Sequence, residues 1–265
     1  NNVDFITTIG KEKKYIDFIK KNIPKNIKKK LIFKSNFVTT KKTRFIERGH
    51  SHLKKLFEIY EMEDKSISET NEYKIIKYLN KNLSKYDVVV VNDYGHGLFS
   101  KKIINTICKK SKFLAVNVQI NAGNQGYNLV TKYKGAKYYS LDMLEARRAI
   151  NDKDLPVKKL PRKILEITKG QNVSITMGSK GSLITGKKEN EMYFVPSFTN
   201  IIVDTMSAGD AHFIMSAAIL YISKSLKLAS FAGNLAGAIT VGVEGCVPID
   251  KSKFLQSLNS YLKIE

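Results

Sequence analysis

Asp204-Thr205-Met206-Ser207-Ala208-Gly209-Asp210, followed by the apolar run 211–220, is the stretch from which the rest of the chain is read. Small residues opening a helix leave backbone N–H groups free at its positive end, which makes a natural anion site. A carboxylate at that mouth, Asp210, is placed to take a proton from an attacking hydroxyl. The same residues also read as an ordinary helix start capped by Ser207 or Asp210. Local chemistry alone leaves both open.

Outward from this stretch, strands alternate with helices. Residues 3–10 read as a strand closed by glycine, 15–21 as a helix, and 69–82 as an amphipathic helix with Ile75, Ile76 and Leu79 on one face. Val88-Val89-Val90-Val91, within a strand over 86–91, is apolar on both faces, as buried parallel strands are. Helices are expected at 101–110, 141–150, 162–169, 208–220, 227–241 and 251–262, and strands at 113–116, 173–177 and 182–185. Between 31 and 58 the rhythm breaks into short pieces: Leu31-Ile32-Phe33, Phe37-Val38, Arg44-Phe45-Ile46 and Leu56-Phe57-Glu58. These suggest a small antiparallel sheet set apart from its surroundings. The alternation predicts an α/β fold with a mostly parallel central sheet covered on both sides, and a ligand beyond the carboxyl ends of its strands.

Composition narrows the class. The 265 residues are 43% hydrophobic and 26% charged, enough to bury a core and too ordinary for a disordered or fibrous chain. No run reaches the roughly eighteen apolar residues of a membrane span. Cys108 and Cys246 lie in no CxxC or Cys/His setting, so a disulfide framework or structural zinc is not expected and a reducing cytoplasm is. The formal charge of +21 invites a nucleic-acid reading. Against it, the only arginines are Arg44, Arg48, Arg147, Arg148 and Arg162, and arginine supplies the bidentate contacts that read phosphate and guanine. The lysines are spread along the chain with many Ile and Asn, as in an AT-rich coding bias. An anionic substrate stays compatible with them. His50 and His52 read as surface residues of a polar loop, not a metal site, and Met143, Met177, Met206 and Met215 as core filler.

Asp204 to Asp210 resembles the D-T-x-G-A-G-D signature of the ribokinase, or PfkB, family of sugar kinases. Further matches follow in the family's order. Asn92-Asp93-Tyr94-Gly95-His96-Gly97 resembles D-Y-x-K-G, Asp142-Met143-Leu144-Glu145 resembles N-x-x-E, and Thr176-Met177-Gly178-Ser179-Lys180-Gly181 resembles T-x-G-x-x-G. Asn234-Leu235-Ala236-Gly237-Ala238 resembles the late helix beside the adenine. The resemblance runs over almost the whole chain from Val3. It is nearest the heptose-phosphate kinase branch, partly through Thr39-Thr40-Lys41-Lys42-Thr43-Arg44.

The resemblance implies a ribokinase-like three-layer sandwich over 1–265 with a β lid at 31–58, through which the family often dimerises. It also implies ATP-dependent phosphorylation of a sugar or sugar-phosphate hydroxyl, with Mg²⁺ and a monovalent cation as family ligands. On this reading Asp210 is the base, and the N–H groups of Ser207, Ala208 and Gly209 hold developing charge. Asp142, Glu145, Thr176, Gly178, Gly181, Asp204, Thr205 and Asn234 fall to the nucleotide side, Glu145 holding Mg²⁺ through water. Asp142 and Glu145 equally spell a capping box, and Gly178 and Gly181 an ordinary hairpin turn. Asp93, Asn121 and Asn124 are the expected sugar ligands, in an amide-rich stretch with Asn117, Gln119, Gln125 and Asn128 that suits a polyhydroxylated molecule.

Three departures stand out. Ser207 replaces the family's first signature glycine, His96 its lysine, and Asp142 its asparagine. The family's early Gly-Gly substrate motif is absent and would precede Asn1, so a chain cut at its N-terminus is expected. The departures leave room for an alternative, a catalytically weakened kinase fold kept as a binding or dimerisation module. His212 is expected to be packed rather than catalytic.

Overall fold

The computed structural model describes the chain except residues 1, 35–37, 50–52, 63–64, 122, 125, 189–190 and 263–265, with backbone only at 54 and 262. Phe37, His50, His52 and Gln125 lie outside the described residues. The central sheet has six strands in the order β10-β9-β8-β7-β6-β5, comprising β5 (Val89–Asp93), β6 (Leu114–Val118), β7 (Tyr138–Asp142), β8 (Asn172–Thr176), β9 (Ser182–Gly186) and β10 (Met192–Val195). β5 through β8 run parallel; β9 returns antiparallel to β8, and β10 is in turn antiparallel to β9 at the edge.

One face of the sheet packs against α2 (Glu69–Asn82), α3 (Lys101–Lys110), α4 (Met143–Ile150) and α5 (Leu160–Thr168). Ile75, Leu79, Ile103, Ile107 and Ile164 meet Val91, Val116, Leu141 and Ile175 there. The opposite face carries α6 (Ala208–Ser223) and α7 (Leu226–Val241), where Phe213, Ala217 and Ala229 meet Ala115, Tyr138 and Ile184. Serine hydroxyls start three of these helices: Ser68, Ser100 and Ser225 accept the N–H of Asn71, Ile103 and Leu228. The chain closes on α8 (Lys251–Leu262). These layers are the expected three-layer α/β sandwich with a mostly parallel sheet.

β7 escapes the periodicity argument because Tyr138-Tyr139-Ser140 is not an apolar run. Both tyrosines are nonetheless fully buried, since the Tyr138 hydroxyl pairs with Ser216 Oγ at 2.7 Å and that of Tyr139 donates to Tyr133 O at 2.8 Å.

The segment 31–58 divides differently from expectation. Leu31-Ile32-Phe33 ends β2 (Ile27–Phe33), which pairs parallel with β1 (Val3–Ile9) across α1 (Lys13–Asn22) in a separate two-stranded sheet. Ile32 is drawn into the core beside Ile75, which removes these residues from any lid. The antiparallel hairpin is β3 (Lys41–Arg48) with β4 (Leu53–Glu61), reaching past Glu58. A register shift between Phe45 and Ile46 bends it.

Candidate active site

β5 and β6 end side by side, with Asn92 paired to Asn117, and α6 begins above them. The backbone folds tightly between 204 and 208. Buried Asp204 accepts the N–H of Met206 (2.9 Å) and that of Gly245 (3.0 Å), tying two turns together. Ser207 then sits in the left-handed region at φ 64°, ψ −1°. That is the conformation the glycine of the signature supplies freely and a Cβ resists. The N–H groups of Ser207, Ala208 and Gly209 make no hydrogen bond among the described residues and form the start of a 16-residue helix. Thr205 is exposed.

Asp210 lies in the first turn of α6, half-buried. Its Oδ1 accepts from Gln119 Nε2 (2.9 Å), Asn92 Nδ2 (3.1 Å) and the Tyr94 hydroxyl (3.3 Å). Burial, then the charge of Asp210, pushes the Tyr94 phenol far up, so it remains a donor. Asp210 opens into a cavity of about 440 Å³, lined also by Ser207, Gly209, Thr40, Lys42 and Arg44.

The inner face of the hairpin closes that cavity. Residues two apart on a strand share a face, and Lys42 and Arg44 stand opposite Tyr60 and Glu58 on it. The Arg44 guanidinium pairs with Glu58 (3.0 Å) and reaches Met206 Sδ (3.0 Å), bridging the hairpin to the signature turn. Lys42 lies over the Tyr60 ring at 4.9 Å. Its ammonium pKa is pushed down, first by burial and next by Arg44, while Glu58 and then Asp210 oppose the shift. In the sequence Lys42 and Arg44 stand out only as part of a resemblance. Their spacing on one strand face is the signal for a cationic wall. Met206 lines the cavity and Met143 is 37% exposed, so neither is core filler.

Glu145 is buried beneath this centre and forms the full capping box: Asp142 N donates to Glu145 Oε2 (2.8 Å) and Glu145 N to Asp142 Oδ1 (2.7 Å). Ile120 N reaches its Oε1 (3.3 Å). Burial first, then Asp142, raises the Glu145 pKa well above the carboxylate range.

The remaining expected nucleotide residues lie apart from the Asp210 cavity. Thr176 ends β8, and Gly178 and Gly181 make the turn into β9 at φ 59° and 93°. A Cβ on Gly181 would stand 2.1 Å from Val195 O, so close packing by itself demands glycine there. The amide of Asn234 is consumed, donating to Val195 O (2.8 Å) and Pro196 O (2.9 Å) and accepting from Ser182 Oγ (2.8 Å).

The three expected sugar ligands are each hydrogen-bonded within the chain. Asp93 is buried against Lys132 Nζ (2.6 Å) and the Tyr133 hydroxyl (2.8 Å). The side-chain amides of Asn121 and Asn124 both donate to Tyr94 O, at 2.8 and 2.9 Å. Asp93 and Asn124 line a second, smaller cavity of about 240 Å³ instead.

A helix-start anion site, a carboxylate at its mouth and a hairpin over both, on a parallel α/β sheet, define a sugar-kinase architecture. The chain belongs to the pfkB family of carbohydrate kinases, whose model matches residues 3–252. Among curated proteins it is similar to the bifunctional protein HldE of a Nitratiruptor species, 27% identical over 219 residues. That match covers 81% of this chain and 44% of the relative, so the chain spans about half the length of the curated relatives it matches. Two solved structures share the fold. One is Escherichia coli phosphofructokinase-2 in complex with potassium (TM-score 0.77, 14% identity, 98% of this chain and 82% of that one). The other is Arabidopsis thaliana ribokinase complexed with ribose and ATP (TM-score 0.68, 13% identity, 96% and 81%). No helix among the described residues is long and apolar enough to cross a membrane.

Proposed function

We propose that this chain transfers the γ-phosphoryl group of ATP to a hydroxyl of a sugar phosphate, a heptose phosphate being the first acceptor to try. The observation that carries the proposal is Asp210 facing Lys42 and Arg44 across one cavity. A neutral sugar has no use for two cations there, whereas a phosphate remote from the reacting hydroxyl does. In the transfer, the acceptor oxygen bonds to the γ-phosphorus and its proton passes to Asp210. The bond from that phosphorus to the β,γ-bridging oxygen breaks, and its electron pair leaves on ADP. The free N–H groups of Ser207, Ala208 and Gly209 face the charge on the transferring group.

Mg²⁺ fits best as an ion held through water. Glu145 is a buried carboxylate whose ionisation the fold penalises, and no three His, Cys, Asp or Glu cluster together among the described residues. The ion would supply charge neutralisation at the phosphates. Thr176, Gly178, Gly181, Asp204, Thr205, Asp142 and Asn234 act on the nucleotide side by shaping backbone, since the amide of Asn234 is already spent. A monovalent cation belongs to the same proposal by analogy with the potassium complex of the phosphofructokinase.

A second copy of the chain is the proposed partner of the hairpin. Its outer face carries Phe45, Phe57 and Ile59, each at least 42% exposed, while its polar face is turned inward. A weakened, module-like role is favoured by one observation, the left-handed Ser207. The test between them is turnover of ATP against heptose phosphate, fructose phosphate and ribose. Turnover on a sugar phosphate is expected; nucleotide binding without turnover on any acceptor contradicts the kinase reading.

A further inference from the structure

All three hydrogen bonds to Asp210 arrive on Oδ1, and Oδ2 accepts none among the described residues. A carboxylate oxygen offers two lone pairs in the carboxyl plane, so three donors leave Oδ1 no room to receive a proton. The oxygen that can act is Oδ2.

Two of the three donors are themselves held by the amide-rich turn that follows β6. The Gln119 N–H donates to Asp93 O at 2.9 Å and its carbonyl accepts from Asn128 Nδ2 at 3.0 Å. Asn121 and Asn124 fix the carbonyl of Tyr94, the second donor. Below them Asp93 anchors the turn: Gly95 N donates to its Oδ1 (2.8 Å), and Lys132 and Tyr133 hold its Oδ2. The side-chain amides of Asn121, Asn124 and Asn128 are thus bonded to backbone, and among the described residues of the turn it is Gln119 whose side chain reaches the centre.

Resting on the kinase reading above, we propose that Gln119 is a positioning residue. It pins Oδ1 of Asp210 so that Oδ2 alone faces the acceptor hydroxyl, and the hydrogen bonds of Asn121, Asn124 and Asn128 to the backbone of Tyr94 and Gln119 are the frame that holds it in place. Misdirecting a reacting group by an ångström slows chemistry without weakening substrate binding, which separates this role from ligand contact.

The test uses the full natural protein with ATP and whichever of heptose phosphate, fructose phosphate or ribose the wild type turns over fastest. Three variants are compared: Gln119→Met, which keeps length and loses the donor; Gln119→Glu, which is isosteric; and Asp210→Asn. In Gln119→Met, kcat should fall on the order of tenfold or more with both KM values within about twofold. Gln119→Glu should be slower still at neutral pH, where two carboxylates face each other. Relative to wild type it should recover as pH falls and its carboxyl gains the proton it needs to donate to Oδ1. Native-like kcat in both Gln119 variants beside an inactive Asp210→Asn overturns the positioning role and leaves the kinase reading standing. The positioning role is likewise overturned if losses appear only in KM or melting temperature, or if Gln119→Glu shows no pH-dependent recovery. Should Gln119→Met fail to fold, the isosteric Gln119→Glu decides alone. Transfer retained by Asp210→Asn, or no wild-type turnover on any of the three acceptors, overturns the kinase reading itself.

Discussion

Ser207 adopts a backbone conformation that costs a non-glycine residue on the order of 1 kcal/mol, at the point where the anion site is formed. Replacing it with glycine should recover that energy, raising the melting temperature by a few degrees and tightening ATP binding severalfold. Thermal unfolding and nucleotide titration of Ser207→Gly check this. Lower activity in the variant would instead make the hydroxyl a phosphate donor. The strain was foreseeable because the signature around Ser207 expects glycine there. Nothing in the sequence told which amides were free. Asn121, Asn124 and Asn234 have the chemistry of ligands, but their side-chain amides already donate to the backbone, at Tyr94 for the first two and at Val195 and Pro196 for the third. A residue type states what a side chain can bond, and only the fold states what it already does.

Helices α6 and α7 lie against each other through His212 and Gly233, where a Cβ on the glycine would stand 2.7 Å from the imidazole Nδ1. His212 is buried and shares a 3.1 Å hydrogen bond with Ser174 Oγ on β8. Burial pushes its pKa down to about 4, so the fold holds it neutral. A base with a lowered folded pKa gives stability that is complete above its unfolded value, near 6.5, and declines as pH falls toward 4. The fully buried ring makes the decline up to about 3 kcal/mol across that window. Denaturant midpoints measured from pH 7 to 4.5 should fall more steeply in the wild type than in His212→Asn. Parallel slopes would mean that other groups carry the acid sensitivity. The sequence announced these helices, with β5 and β6, because apolar runs speak locally. It hid β7, whose tyrosines are buried only because Ser216 and Tyr133 O receive their hydroxyls, and it misassigned Leu31-Ile32-Phe33, since pairing partners of short strands are set by the rest of the molecule.

The molecule as a whole has a hairpin turned inside out: Lys42 and Arg44 line the cavity, while Phe45 and Phe57 stack at 4.4 Å on the outer side. A second copy should cover that outer face, and light scattering at micromolar concentration should give twice the chain mass, reduced to one by Phe57→Glu. A monomeric wild type would contradict the lid pairing. The +21 charge is diffuse in the sequence, and β3 brings two of its cations, Lys42 and Arg44, to the cavity that Asp210 lines. Everything in the proposed chemistry converges on that one carboxylate. The most direct measurement is therefore single-turnover phosphoryl transfer by Asp210→Asn, with ATP affinity measured alongside. Asparagine keeps the shape and cannot take the proton, so transfer should fall by ~10²-fold or more while ATP affinity stays within about twofold. Near-native transfer by Asp210→Asn would contradict the account and leave Asp210 as no more than a polar residue at a helix start.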